Sequence, residues 1–600
     1  MWRSVPIKPD ATVPASLVVA LLIALPAAAQ STPPAAGGTT PAVTGDSAPV
    51  TSPVPGDSTV TPPATPVLES PALGPLSAPD TPINRPFLGG GLPGFANTAP
   101  GLGIAGVSTP FDLGNRPYAI RPSIGVEVLG TNNVFQTPVA NGDVVTTIAP
   151  SLEAAISTTR LNGTLRYTPA LRLYAINSSQ DGVDQVGDGR LLAALAPGLF
   201  YVDVRGAASV LPVFPGFIPG SGQVVAGNDI IQTYTAQVTP FLVHRFGSAA
   251  TVQAGYSFQY ASQNYAGFNQ SSLNTLNNPN SLLENYTANR GFAVMRSGED
   301  FGRLALQARA DGTKYAGNGV YDDAHRFIAA FETRYAILRS VALLGEIGYE
   351  NQEYSGTNPF TISDAIWSVG LRLTPGPDSI VLVKYGRQNG FNSFYLNAGM
   401  ALGVRTNLFA TYRETLATTL TQSQDLLATT TVDALGNPVD SQSGAPVALI
   451  NPFLGLSDAL YRMRVGTVSL RHHWPRDVLA LSGTWQSQDP MTAANSVVSV
   501  TSSSGPYATL SWGHEFSPRT TGVAAAQYGH VYGQLGFGQS GVVQSGQGDS
   551  DTYSLTATVL HQLNDKLIGS VQVAWTNNTS SVANQSYTQA VIRAGLRRTF

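Results

Sequence analysis

Tyr587-Thr588-Gln589-Ala590-Val591-Ile592-Arg593-Ala594-Gly595-Leu596-Arg597-Arg598-Thr599-Phe600 is the stretch whose reading decides the fold. Small or apolar residues (Ala590, Ile592, Ala594, Leu596) alternate with Arg593, Gly595 and Arg597, and the aromatic Phe600 closes the run. A period of two places the first set on one face of a strand and the second on the other. At the open edge of a soluble sheet, such a terminal strand frays or invites aggregation. In a membrane barrel the last strand pairs with the first, every backbone N–H and C=O is satisfied inside the wall, and the oily face meets lipid. The reading is an all-β, up-and-down antiparallel transmembrane β-barrel.

The opposite end agrees. Arg3 and Lys8 form a positive n-region, Val13 to Leu25 an apolar run, and Pro26-Ala27-Ala28-Ala29 a small-residue cleavage signal before Gln30. Residues 1–29 therefore read as a secretory signal peptide, the apolar run being shorter than the roughly 20 residues of a spanning helix. The chain has no Cys, which excludes disulfides, thiolate metal sites and a Cys nucleophile and suits passage through an oxidising periplasm.

Charged residues are only 12% of the chain against 9% aromatics, far below the roughly 25% charge of soluble domains. A barrel wall gives half of its strand positions to lipid and has less room for charge. No basic block points to nucleic acid, and beyond residue 29 no apolar stretch is long enough for a membrane helix. Residues 30–116 are dense in Pro, Thr, Ser, Ala and Gly, as in Thr61-Pro62-Pro63-Ala64-Thr65-Pro66, and read as a disordered periplasmic segment that cannot bury a core. The barrel is expected over 117–600.

Strand periodicity is clear in several places. Leu304, Leu306, Ala308 and Ala310 alternate with Arg303, Gln307, Arg309 and Asp311; Phe327, Ala329, Phe331 and Tyr335 oppose Arg326, Glu332 and Arg334. Tight connections at 246–248, 338–340, 375–378, 403–405, 475–477, 517–519 and 564–566 alternate with polar stretches at 212–229, 265–285, 416–460, 489–505 and 533–551. Short turns on one side and long loops on the other are the outer-membrane pattern, and termini on the same side require an even strand number. The segments predict about 20–22 strands, within a range of 16–22, with hairpins at Ala196-Pro197-Gly198 and Ser297-Gly298-Glu299-Asp300 the least sharply marked. Asn389-Gly390 predicts a type I′ hairpin.

With this alternation Arg303, Arg309, Asp311, Glu332, Arg334, Glu346, Glu350, Arg372, Lys384, Arg593 and Arg597 line the lumen. Either facing rows of opposite charge create a transverse field that selects polar solutes, or the charges pair across the lumen and satisfy one another. The 416–460 insert is long enough to fold inward and narrow the pore; the alternative is an external loop with a helical turn. His472-His473 is the only His pair, and adjacent strand residues face opposite ways, so the two do not chelate one metal. No Gly-x-Ser-x-Gly, His-Glu-x-x-His or phosphate loop is present, so neither an enzyme nor a cofactor is expected.

Ser123-Ile124-Gly125-Val126-Glu127-Val128 leading to Thr131-Asn132-Asn133-Val134-Phe135, with Ser297-Gly298-Glu299-Asp300-Phe301-Gly302-Arg303-Leu304 and Gly348-Tyr349-Glu350 further on, resembles the β-barrel porin 2 family over about residues 118–600. That family includes outer-membrane barrels associated with exopolysaccharide and exosortase systems. The resemblance implies a porin-like or polymer-export barrel in the outer membrane of a diderm bacterium, with lipid, the outer-membrane assembly machinery and a small polar solute or polysaccharide as partners. Ile592, Ala594, Leu596 and Phe600 resemble the carboxy-terminal assembly signal, with Arg598 where an apolar residue is more usual. Two other functions fit the same sequence: an envelope scaffold whose Pro-rich leader binds periplasmic partners, and an adhesin acting through long external loops.

Overall fold

A computed structural model describes residues 116–212, 230–265, 283–376, 379–422, 430–432, 438–440, 453, 457–494, 502–537, 543–582 and 585–600. The expected signal peptide and all of the Pro-rich segment but Arg116 lie outside the described residues, as does most of the 416–460 insert.

The first strands are β1 (Tyr118–Thr131), β2 (Asp143–Ser157), β3 (Leu161–Tyr174), β4 (Gly182–Ala196), β5 (Phe200–Pro212), β6 (Ile230–Phe246), β7 (Ala250–Tyr265) and β8 (Asn285–Ser297). Next come β9 (Leu304–Gly317), β10 (His325–Leu338), β11 (Val341–Tyr354), β12 (Phe360–Gly376), β13 (Ser379–Gln388), β14 (Phe391–Ala401) and β15 (Thr406–Ala417). A small separate hairpin, β16 (Thr430–Val432) and β17 (Pro438–Asp440), interrupts the series. The wall resumes with β18 (Ala459–His473), β19 (Asp477–Ala493), β20 (Ser503–Ser517), β21 (Thr520–Phe537), β22 (Val543–Asn564), β23 (Leu567–Ser580) and β24 (Tyr587–Thr599).

Each wall strand pairs antiparallel with the next, and β15 pairs with β18. Strand β24 pairs with β1, Val126 standing opposite Leu596 and Val128 opposite Ala594. The sheet is therefore a closed ring of 22 strands. Closure leaves no unpaired edge, which is what allows a strand with an oily face to sit at the chain end.

Burial follows the pleat. On β1, Ile124, Val126 and Val128 are exposed while Ser123 and Glu127 are buried; on β10, Phe327, Phe331 and Tyr335 are exposed while Glu332 and Arg334 are buried. This inverts the soluble rule, with apolar side chains outside and polar ones within. Connections at one end are tight and those at the other are longer, in the predicted alternation, except for the two-residue Asn389-Gly390 turn at the long-loop end. Both weakly marked hairpins are present, which puts the ring at the top of the predicted range. Asn389 (φ 54°) and Gly390 (φ 75°) both adopt the left-handed backbone that a type I′ turn needs.

Two stretches expected as loops are partly strand: β19 runs to Ala493, β20 starts at Ser503, and β21 and β22 extend to Phe537 and from Val543. Polarity there does not mark the absence of a strand, because ladder hydrogen bonds hold a polar strand as well as an apolar one.

Candidate functional site: the lumen wall and the loop-end constriction

The inward face of β9–β13 carries a compact charge network. Glu332 and Glu346 stand directly opposite each other on β10 and β11, a like-charge pairing that destabilises a sheet unless cations intervene. Cations do intervene. Arg309 lies 3.2 Å from Glu332 and donates to Glu346 at 2.8 Å, Lys384 lies 3.7 Å from Glu346, and Ser368 Oγ donates to Glu346 at 3.0 Å. Asp311 accepts from Arg290. Two carboxylates and two cations thus neutralise each other in one patch, and removing any one leaves a buried charge uncompensated.

A second network sits at the barrel seam, about half a circuit away. Glu153 on β2 is contacted by Arg121 (2.6 Å), Arg597 (3.2 Å) and Arg166 (3.9 Å), tying β1, β2, β3 and β24 together. Arg597 also donates to Ser123 Oγ, and Arg593 pairs with Glu127 at 3.2 Å. The charges pair along the wall between strands one or two places apart in the ring. Strands one or two places apart are separated by about 5–10 Å, within the joint reach of two long side chains.

The remaining predicted residues fall into three groups. Arg303 is exposed in the turn before β9, off the wall, because the strand begins one residue later than the alternation suggests. Glu350 is buried and accepts hydrogen bonds from Gly390 N (2.8 Å) and Gln352 Nε2 (3.0 Å), so it anchors the β13–β14 turn. Arg334 and Arg372 are on the inward face and, among the described residues, have neither a hydrogen-bond nor an ion-pair partner. At the carboxy-terminal strand, Ile592, Ala594, Leu596 and Phe600 face outward, and the Arg598 guanidinium lies 5.5 Å from the Phe600 ring centre. His472 accepts or donates at 2.7 Å to Thr406 Oγ1 and its ring packs on Trp474. Among the described residues no three His, Asp or Glu side chains are placed to hold a metal.

At the loop end, segments distant in the ring meet. Thr418, just after β15, donates through Oγ1 to Glu284 Oε2 at 2.8 Å, just before β8. These strands stand seven places apart, so the contact requires the loops to reach across the mouth. Thr357 N donates to Ala493 O at 2.9 Å, joining the β11–β12 loop to β19. Gly356 makes this approach possible: with φ 145°, a Cβ there would lie 2.2 Å from Thr492 Oγ1. Tyr286, Val320, Tyr321, Tyr354, Leu420 and Leu460 form the apolar core of the junction.

Glu284 is buried in this junction. Among the described residues its Oε1 has no hydrogen-bond partner, Tyr321 and Tyr461 lie close to it, and burial together with the nearby Asp458 charge pushes its carboxyl up to about 8. The 416–460 insert also reaches inward at Phe453, which is buried against Tyr507 and Val531 on the inward faces of β20 and β21. The inward-folding reading describes this point of the insert, and a helical turn at 419–422 accompanies it.

Sequence reasoning missed Arg121, Glu127, Glu153 and Arg166. Their signal was present in the alternation of β1 to β3 and needed only the strand parity. Glu284, Thr418 and Phe453 had no such signal, since they lie in loops whose partners are set by the ring.

No protein-family model matches the chain, and no curated protein matches it. Solved structures do. The siderophore receptor PiuA from Acinetobacter baumannii aligns at 10% identity and TM-score 0.43 over 80% of this chain and 81% of that one. The FrpB iron transporter from Neisseria meningitidis (F3-3 variant) gives 8%, 0.45, 80% and 81%. Pseudomonas aeruginosa OccK2 (OpdF) gives 8%, 0.32, 80% and 98%. At such identities and TM-scores nothing about cargo or gating carries over.

Proposed function

We propose that this chain is an outer-membrane channel of a diderm bacterium, passing small polar solutes by passive or gated diffusion. One conjunction supports the reading: a closed ring oily outside and charged within, whose loops meet across a single mouth. An outward apolar side-chain surface of that kind is stable in lipid, and the closed ring leaves no backbone group unpaired there. In this reading the tight-turn end is periplasmic, and the loop end is external and sets the size limit. Ile592, Ala594, Leu596 and Phe600 present the row that the assembly machinery would read, residues 1–29 act as a signal peptide, and 30–116 form a periplasmic leader. A link to exopolysaccharide export follows from the β-barrel porin 2 likeness of the short motifs.

Purified protein in a planar bilayer should carry a stable ion current, and proteoliposomes should swell in some of a panel of sugars, amino acids and organic acids. A barrel that is heat-modifiable on gels yet passes neither ions nor solutes overturns the proposal. Leader-dependent capture of periplasmic proteins by such a sealed barrel would put a scaffold in its place.

A further inference from the structure

Arg334 and Arg372 break the charge balance of the wall. One step towards the loop end, Arg309 and Lys384 neutralise Glu332 and Glu346. At the level of Arg334 and Arg372 no carboxylate among the described residues answers. Arg334 is only 7% exposed, and its buried Nη1 has no hydrogen-bond partner. The charged group that bears on it is a second cation, Arg372. Glu332 is two residues away on the same face, but its neighbours Arg309, Lys384 and Arg296 already hold it electrostatically.

The register sets the spacing. Arg334 stands opposite Leu344, and Leu344 opposite Gly370, two residues before Arg372. One strand therefore separates the two arginines, with Cα atoms about 12 Å apart from strand spacing and rise. Two extended arginine side chains can close that gap around a single anion. Leu344 stands on the strand between them, Ala305 stands opposite Arg334 on its other side and Leu382 opposite Arg372 on its other side, and the three pack together as an apolar floor around the pair. A buried cation without a partner is costly, and a bound anion is the compensation the chain itself does not supply. Guanidinium forks fit carboxylates in bidentate fashion, and the floor favours a ligand with a hydrocarbon body over a small, strongly hydrated anion.

We propose that Arg334 and Arg372, with the Ala305–Leu344–Leu382 floor, form a binding site for organic monocarboxylates on the lumen wall near the tight-turn end. This deepens, and rests on, the channel reading by naming a solute class. The probe is benzoate, with benzyl alcohol and acetate as controls that keep only the apolar body or only the charge. Calorimetry on the detergent-solubilised full chain should show benzoate binding more tightly than either control. In R334Q/R372Q the benzoate affinity should fall roughly tenfold or more, since charge-assisted hydrogen bonds are the stronger class, while benzyl alcohol binding stays unchanged. Should R334Q/R372Q lose heat-modifiable migration, R334K/R372K carries the test, because it keeps the charge and loses the fork; a several-fold loss is expected. Equal benzoate affinity in the wild type and a folded variant overturns the site. Benzoate binding in a wild-type barrel that carries no current overturns the channel reading and leaves the site standing, and current without benzoate binding does the reverse.

Discussion

Replacing Glu284 by Gln should abolish a pH dependence of the loop-end closure. Glu284 is buried where loops from distant strands meet, accepts one hydrogen bond from Thr418, and has its carboxyl pushed up to about 8 by burial and by Asp458. Once the loops separate, the side chain returns to water and an ordinary value near 4.5. Below about 4.5 both forms are protonated and closure has its full strength. Between 4.5 and about 8 the closed form keeps a proton that the open form has lost, so each pH unit of increase weakens closure by about 1.4 kcal/mol. Across the whole window the loss is about 5 kcal/mol, an upper figure because water entering a loosened junction would reduce it. Single-channel records in a planar bilayer at pH 5, 7 and 9 should therefore show longer open times as pH rises. Amide hydrogen exchange at 283–284 and 418–422 should accelerate in parallel. The glutamine is neutral throughout and still accepts from Thr418, so the variant should stay closed and flat across the range. An E284Q channel with the wild-type pH slope, or a wild type with none, refutes the reasoning.

Other substitutions test neighbouring contacts. Gly356→Ala places a methyl against Thr492 and the Ala493 carbonyl at φ 145°, so the β11–β12 loop should detach from β19 and conductance should rise, with the unfolding midpoint in urea nearly unchanged. Phe453→Ala removes the anchor that the insert places against Tyr507 and Val531, and should widen the size cut-off in liposome swelling without altering heat-modifiable migration. Glu153→Ala leaves Arg121, Arg166 and Arg597 without their shared carboxylate at the seam, and should cost about 3–5 kcal/mol, read as a lower urea midpoint for the folded band. An unchanged midpoint would remove the seam network from the account of stability.

The wall was legible because each strand reports its own two faces. Ile592 and Leu596 against Arg593 and Arg597, or Phe327 and Phe331 against Glu332 and Arg334, carry the pleat in their order alone. Arg303 shows where that reading fails: parity continues through a turn, but the strand does not. The polar ends of β19, β21 and β22 failed for the opposite reason, since a hydrogen-bonded ladder persists where the lipid signal stops.

Local order thus determined the barrel class, the even strand number and the alternation of short and long connections. Each of these depends on residues two apart on one strand, or on the few residues of a single turn. Only the closed ring decided who meets whom: that Glu332 faces Glu346 and needs Arg309 and Lys384, that Arg334 and Arg372 find no carboxylate among the described residues, and that Glu284 finds Thr418 across the mouth. Such partners lie on different strands, so their proximity follows from register and closure, quantities that no single stretch of chain contains.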